Sequence, residues 1–131
     1  MSVTLADIEA AAGRLANVTV VTPLIESPAL NERVGGRVLI KPETLQLGGS
    51  FKLRGAMNRI AQLTDEEKTR GVVAFSSGNH AQGVAIAARK VGTSALIVMP
   101  SDAPAMKIEA TRSFGAEIRF YDRYAEDRAA I

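Results

Sequence analysis

The 131-residue chain has no cysteine, a single histidine, few aromatic residues and a formal net charge of only +2. Without cysteine there is no disulfide, no thiolate-bound zinc or iron–sulfur cluster and no thiol nucleophile, and the composition suits a reducing cytoplasm. One histidine argues against a histidine-rich metal site, and no metal site is expected. Lys/Arg and Asp/Glu are interspersed, so no basic stripe marks a nucleic-acid partner. No apolar run approaches the roughly 20 residues that a membrane-spanning helix needs. The opening "MSVTLADIEAAAGRLA" reads as an acid-bearing amphipathic helix, with neither the basic start nor the long apolar core of a leader. The expectation is a soluble cytoplasmic protein without nucleic-acid or membrane partners: one globular unit, or a piece of a larger one.

What is present is regular. Thr4 is placed to N-cap a first helix with Leu5, Ile8, Ala12 and Leu15 as its apolar stripe. "VTPLIESPAL", with two prolines, reads as an extended edge segment, and "RVGGRVLIKPE" as a turn into a short strand, Arg37 to Lys41, ended by Pro42. From Lys52 a helical stripe of Leu53, Ala56, Met57, Ile60 and Ala61 follows. "GVVAF" and "SALIVMP" fit buried strands, and "AEIRFY" is a third strand. Between the first two lies a small-residue helix, "HAQGVAIAARKVG", stopped by Gly92. Between the last two, Pro104 suits a helix N1 position, Met106, Ala110 and Phe114 form the inner face, and Gly115 ends it. This alternation predicts an α/β fold, an open parallel sheet with flanking helices and right-handed crossovers. "DRYAEDRAAI" reads as the beginning of a further helix, so the chain is expected to be the N-terminal part of something longer.

Two stretches carry candidate chemistry. "SSGNH", Ser76 to His80, stands where a strand's C-terminal end meets a helix start, the usual ligand position in open α/β sheets. Free helix N–H groups, the permissive backbone of Gly78 and the donors of Ser76, Ser77 and Asn79 favour an anion there. A plain N-cap with a turn glycine makes the same pattern. In "GGSFKLRGA", Lys52 sits in a helix's first turn, the wrong end for a cation in the macrodipole. Gly48 and Gly49 allow close backbone approach, Phe51 offers a flat apolar surface, and Arg54 is a second cation one turn away. A neighbouring cation or desolvation pushes a lysine amine down in pKa, as a Schiff-base nucleophile requires.

Together, "TPLIESPALN", "KPETLQLGGSFKLRGA", "SSGNHAQGVAIAARKVG" and "ALIVMPSDAPAMKIEATRSFGAEI" resemble the fold-type II pyridoxal-phosphate enzymes, specifically the serine/threonine dehydratase (ammonia-lyase) and serine racemase group. The resemblance implies pyridoxal 5'-phosphate as cofactor, with Lys52 forming the internal aldimine and Phe51 packing against the ring. It implies Asn79 as hydrogen-bond partner of the ring's 3′-oxygen, and Ser76, Ser77, Gly78, Asn79 and His80 as the loop holding the substrate carboxylate. For His80 the backbone, not the ring, is assigned to that role. Arg54 is expected to be an ion-pair partner, and Lys107 and Arg112 to belong to a solvated helix face.

The reaction implied is dehydration and deamination of L-threonine or L-serine to a 2-oxo acid and ammonia. Serine racemase or 3-hydroxyaspartate dehydratase activity is the alternative. Ser77 bears on that choice. Biosynthetic dehydratases carry alanine before "GNH", whereas racemase-like enzymes carry serine, whose hydroxyl could exchange a proton on the ring face opposite Lys52. Ser77 could instead hydrogen-bond the loop backbone. By the resemblance, residues 1–51 begin the large domain and 52–131 form a truncated small domain. The intact enzyme would be a homo-oligomer, and its glycine-rich phosphate loop and ring-nitrogen partner would lie outside this chain. A non-catalytic anion-binding α/β module, or an inactive fragment, is the rival of another class.

Overall fold

A computed structural model of the chain describes residues 2–131. α1 (Leu5–Leu15) is opened by Thr4, whose hydroxyl accepts from the Asp7 N–H while the Asp7 carboxylate accepts from the Thr4 N–H at 2.9 Å. Leu5 and Ile8 of its stripe remain exposed, and Leu15 packs partly against the core. β1 (Ile25–Glu26) and β2 (Leu39–Ile40) form a two-residue antiparallel ladder, shorter than the expected strand. Between them the chain is helical where an extended edge was expected. In α2 (Pro28–Val34), Ser27 accepts from the Leu30 N–H and Gly35 ends the helix at φ 67°. Pro28 occupies the first helical position, where a missing N–H loses no intrahelical bond.

Two 3₁₀ turns, Glu43–Leu45 and Leu47–Gly49, lead into α3 (Lys52–Ile60). Gly48 and Gly49 stand at φ 73° and 66°, and a Cβ on Gly48 would meet Ile86 Cδ1 at 2.7 Å. The buried Gln46 side chain accepts from the Val20 N–H and donates to the Val20 carbonyl, both at 2.9 Å. Those two bonds tie the N-terminal segment to the turn that precedes Lys52.

The rest is α4 (Asp65–Arg70), β3 (Val72–Phe75), α5 (Asn79–Val91), β4 (Ala95–Pro100), α6 (Ala105–Ser113) and β5 (Glu117–Tyr121). The three strands are parallel in the order β3-β4-β5, so the α/β fold with a parallel sheet stands as expected. Ala74, Ile97 and Ile118 are in register and belong to the core shared with Leu53, Met57, Ala81, Ala85 and Ala88. β3 is not a fully buried strand. Val73 and Phe75, 69% and 49% exposed, point to the sheet's other face, which the helices do not cover.

α6 also differs in phase. Pro104 is its N-cap, Met106 is 77% exposed, and the fully buried side chain is Thr111, whose hydroxyl donates to the Lys107 carbonyl at 2.8 Å. The inner face is made by Ile108, Thr111 and Phe114 rather than Met106, and the bond within the helix satisfies the buried Thr111 hydroxyl. Residues 122–130 form turns rather than a helix start, because the Asp122 and Asp127 carboxylates take local N–H groups two residues on.

Candidate active site

The C-terminal ends of all three parallel strands converge on a cleft of about 410 Å³. Ser76 and Ser77 follow β3, Pro100 ends β4 and Tyr121 ends β5, while Arg123, Glu126, Asp127 and Arg128 close the rim, with Arg123 paired to Asp102. The turn is anchored to the sheet by the Ser76 N–H, which donates to the Val98 carbonyl at 3.1 Å. Ser76 Oγ then accepts from the Gly78 N–H at 3.2 Å. The loop-bracing role considered for Ser77 therefore falls to Ser76. Among the described residues the Ser77 hydroxyl has no hydrogen-bond partner, and it lines the cleft.

Gly78 is the N-cap of α5, which has no side-chain cap and no acid in its first turn. Asn79, His80 and Ala81 thus begin a 13-residue helix with N–H groups that have no intrahelical acceptor. The His80 side chain lines a different hollow, of about 310 Å³, with Ile60, Val72 and Val84. Its ring is not in the Ser76–Ser77 cleft, and only its backbone shares the turn. Asn79 Oδ1 accepts from Lys107 Nζ at 3.2 Å, so Lys107 reaches the turn instead of belonging wholly to a solvated face.

Lys52 is the first residue of α3, which likewise has no side-chain cap and no acid in its first turn. The misplaced charge read from the sequence is real. Lys52 is exposed, its Nζ lies 5.0 Å from the centroid of the Phe51 ring, and among the described residues it has no carboxylate partner. It does not line the cleft. The link to the turn runs through α5, where Gly83, one turn beyond Asn79, packs on the Lys52 backbone with 3.0 Å from its ideal Cβ position to the Lys52 carbonyl carbon. Residues four apart share a helix face, so the start of α3 abuts the face of α5 that carries Asn79.

Arg54 is not an unpaired cation beside that amine. It forms a two-pronged bond to Glu43, Nε to Oε2 at 2.7 Å and Nη2 to Oε1 at 2.8 Å, and Thr22 donates to the same carboxylate at 2.6 Å. The Arg54 guanidinium pulls the Glu43 carboxyl down to about 2, with burial opposing and Thr22 assisting. The ion pair expected for Arg54 is there, and its charge is compensated.

The residues present fit pyridoxal phosphate at one point, the Lys52 amine, which has no carboxylate partner among the described residues and suits an aldehyde, while the uncapped, donor-rich turn suits an anion such as a substrate carboxylate. The profile of the family described as "Pyridoxal-phosphate dependent enzyme" matches residues 15–131. The chain belongs to this family. Its members depend on pyridoxal phosphate, and relatives act as ammonia-lyases or racemases. An L-threo-3-hydroxyaspartate ammonia-lyase of Saccharomyces cerevisiae is 47% identical over 128 residues, covering 98% of this chain and 39% of that protein. An L-threonine ammonia-lyase of Thermotoga maritima is 53% identical over 116 residues, 88% of this chain and 29% of that protein. The solved structure of maize serine racemase superposes with a TM-score of 0.92 at 39% identity, covering 99% of this chain and 40% of that one. The chain therefore spans about two fifths or less of the length of these relatives.

Sequence reasoning missed Lys107, because the contact joins residues 28 apart. It also missed Arg123 and Arg128, which the turns after β5 bring to the cleft.

Proposed function

We propose that this chain supplies the cofactor lysine and the carboxylate-holding turn of a pyridoxal-phosphate-dependent ammonia-lyase that converts L-threonine or L-serine to a 2-oxo acid and ammonia. The observation that carries the reading is the Lys52–Gly83 contact, which builds the uncapped amine and the uncapped turn into one packed pair of helices. Pyridoxal phosphate supplies an aldehyde for an amine to bond and a ring that withdraws electrons from the substrate Cα. Lys52 Nζ would hold the cofactor and, once the substrate's amino group displaces it, would be free to take the proton from Cα. Phe51 packs on the ring, and the Asn79 side chain donates to its 3′-oxygen. The hydroxyls of Ser76 and Ser77, the permissive Gly78 and the free N–H groups of Asn79 and His80 hold the substrate carboxylate, favoured by the helix dipole. In this reading residues 1–51 begin the large domain, 52–131 belong to the small one, and the full protein is a cytoplasmic homo-oligomer.

Two observations support related substrates. Ser77's unpartnered hydroxyl favours proton exchange at the second face of Cα, and hence serine racemisation. Arg128, stacked 4.5 Å from the Phe75 ring centroid, brings a cation suited to a second carboxylate, as in 3-hydroxyaspartate, to a rim it shares with Glu126 and Asp127.

The test is borohydride reduction of the pyridoxal-phosphate-loaded protein followed by peptide mapping. The pyridoxyl group is expected on Lys52 and absent from Lys52→Ala. Labelling at Lys41 or Lys107 would remove the core of the reading.

A further inference from the structure

The ammonium group of Lys107, in the first turn of α6, lies 3.2 Å from Asn79 Oδ1. The lysine has a seat built for it. A Cβ on Gly78 would stand 3.2 Å from Lys107 Nζ and 3.8 Å from its Cδ, so the bare glycine leaves room for the end of this side chain over the turn. The Lys107 N–H donates to the Pro104 carbonyl at 2.9 Å, and its carbonyl accepts from the fully buried Thr111 hydroxyl. Among the described residues Lys107 has no carboxylate partner, and Asn79 is its one side-chain partner.

A side-chain amide is nearly symmetric in shape, and an unrestrained asparagine can present either its oxygen or its NH₂ to a neighbour. An ammonium carries three donors and no acceptor, so a neighbouring amide must turn its oxygen toward it. The charge also polarises the amide and strengthens the donors at its other end. We propose that Lys107 is a positioning residue, which locks the Asn79 amide with Oδ1 toward α6 and both Nδ2 hydrogens directed away from it as donors to the cofactor. The proposal rests on the reading in which Asn79 faces the 3′-oxygen of pyridoxal phosphate. An anionic oxygen there would be repelled by Oδ1 and held by Nδ2–H, so the lysine decides the sign of that contact.

The test has two arms. In cofactor-free protein labelled with ¹⁵N-asparagine, the Asn79 side-chain signals are assigned by their loss in Asn79→Ala. Lys107→Met is expected to shift them and slow their base-catalysed proton exchange, because an amide without the cation on its oxygen is a weaker N–H donor, while Lys107→Arg keeps them near the parent. Unchanged exchange in Lys107→Met would overturn the proposal. In cofactor-loaded protein, Lys107→Met and Asn79→Ala should move the pH midpoint of the visible cofactor band in the same direction. The double variant should move no further than Asn79→Ala, and Lys107→Arg should restore the midpoint. Additive shifts would also overturn it. The cofactor-loaded arm uses the full-length protein; if that parent forms no visible band, the proposed function fails, and the exchange arm still decides whether Lys107 orients Asn79.

Discussion

Gly83 packs directly on the backbone of Lys52: a Cβ on Gly83 would stand 3.0 Å from the Lys52 carbonyl carbon, 3.1 Å from the Leu53 nitrogen and 3.2 Å from the Lys52 oxygen. Optimal carbon contacts lie near 3.5–4.0 Å, and backbone at a helix start cannot move aside as a side-chain end can. Helices α3 and α5 approach this closely because position 83 has no side chain. The position of Lys52 is thus set partly by a glycine on another helix.

Gly83→Ala should therefore separate stability from helix propensity. Alanine gains roughly 0.5–1 kcal/mol of propensity in a helix interior, and overpacking costs roughly 1–3 kcal/mol. Net destabilisation of about 1–2 kcal/mol is expected by thermal or denaturant unfolding, together with weaker pyridoxal-phosphate attachment at Lys52. Gly13→Ala in α1, where a Cβ meets nothing within 4 Å, is the control and should be neutral or stabilising. A stabilised Gly83→Ala with unaltered attachment would show that the contact does not position Lys52.

Ser77 offers a cleaner functional split. Among the described residues its hydroxyl has no partner, whereas Ser76 already braces the Gly78 N–H, so Ser77→Ala removes no loop bond seen there. In the full-length protein, L- and D-serine interconversion should fall far more than β-elimination when both are followed by chiral chromatography and 2-oxo acid release. Equal losses would make Ser77 a structural or carboxylate-binding residue, and a parent without interconversion would retire the racemase reading.

Much of this was legible in the chain itself. Leu53, Ala56, Met57 and Ile60 announce α3 and are all buried, and Gly92 ends α5 at φ 81° as a left-handed cap. These signals are local. α2 was missed because Pro28 was read as an extended residue, although Ser27 and Pro28 together form a cap-and-N1 start. α4 carries a full Thr64–Glu67 capping box that also went unread. The phase of α6 was not local, since Thr111 rather than Met106 is buried by the packing against α5 and β5. Of the candidate site, the two anchor stretches could be read from residue types and spacing. The Lys107–Asn79 bond, the Gly83–Lys52 approach and the cleft arginines depend on chain-distant packing, and no short window contains them.

The Glu43–Arg54 pair should leave a signature in acid. Glu43 is held at about 2, against an ordinary 4.5, because its carboxylate is bonded by Arg54 and Thr22. The unfolded chain therefore takes up the proton first as pH falls. The stabilisation is fully present above about pH 5 and is lost between there and pH 2. The side chains are 30% and 16% exposed, so solvent screening leaves about 1–2 kcal/mol. Urea unfolding should show Glu43→Gln less stable than the parent by this amount at pH 7, with the gap shrinking as pH approaches 2. A gap that is constant with pH would mean the carboxylate acts through packing and not through its charge.

The 131-residue chain alone should bind pyridoxal phosphate poorly and release no ammonia from serine or threonine. Tight cofactor binding draws on charge-assisted bonds from backbone N–H groups to the phosphate. The uncapped turn at Ser76–His80 is here assigned to the substrate carboxylate, which leaves the phosphate without such a cradle. Lys52, exposed and unpaired, would then bond the aldehyde only weakly and reversibly. The open sheet face with Val73 and Phe75, and the exposed Leu24, Ile25, Leu39 and Ile40 around the two-stranded ladder, give the chain apolar surface that association would cover. Light scattering on material of verified mass should report species above the monomer, and coupled 2-oxo acid detection should report no turnover. Turnover of roughly 1 per second or faster would show instead that these 131 residues hold the cofactor and complete the site by themselves.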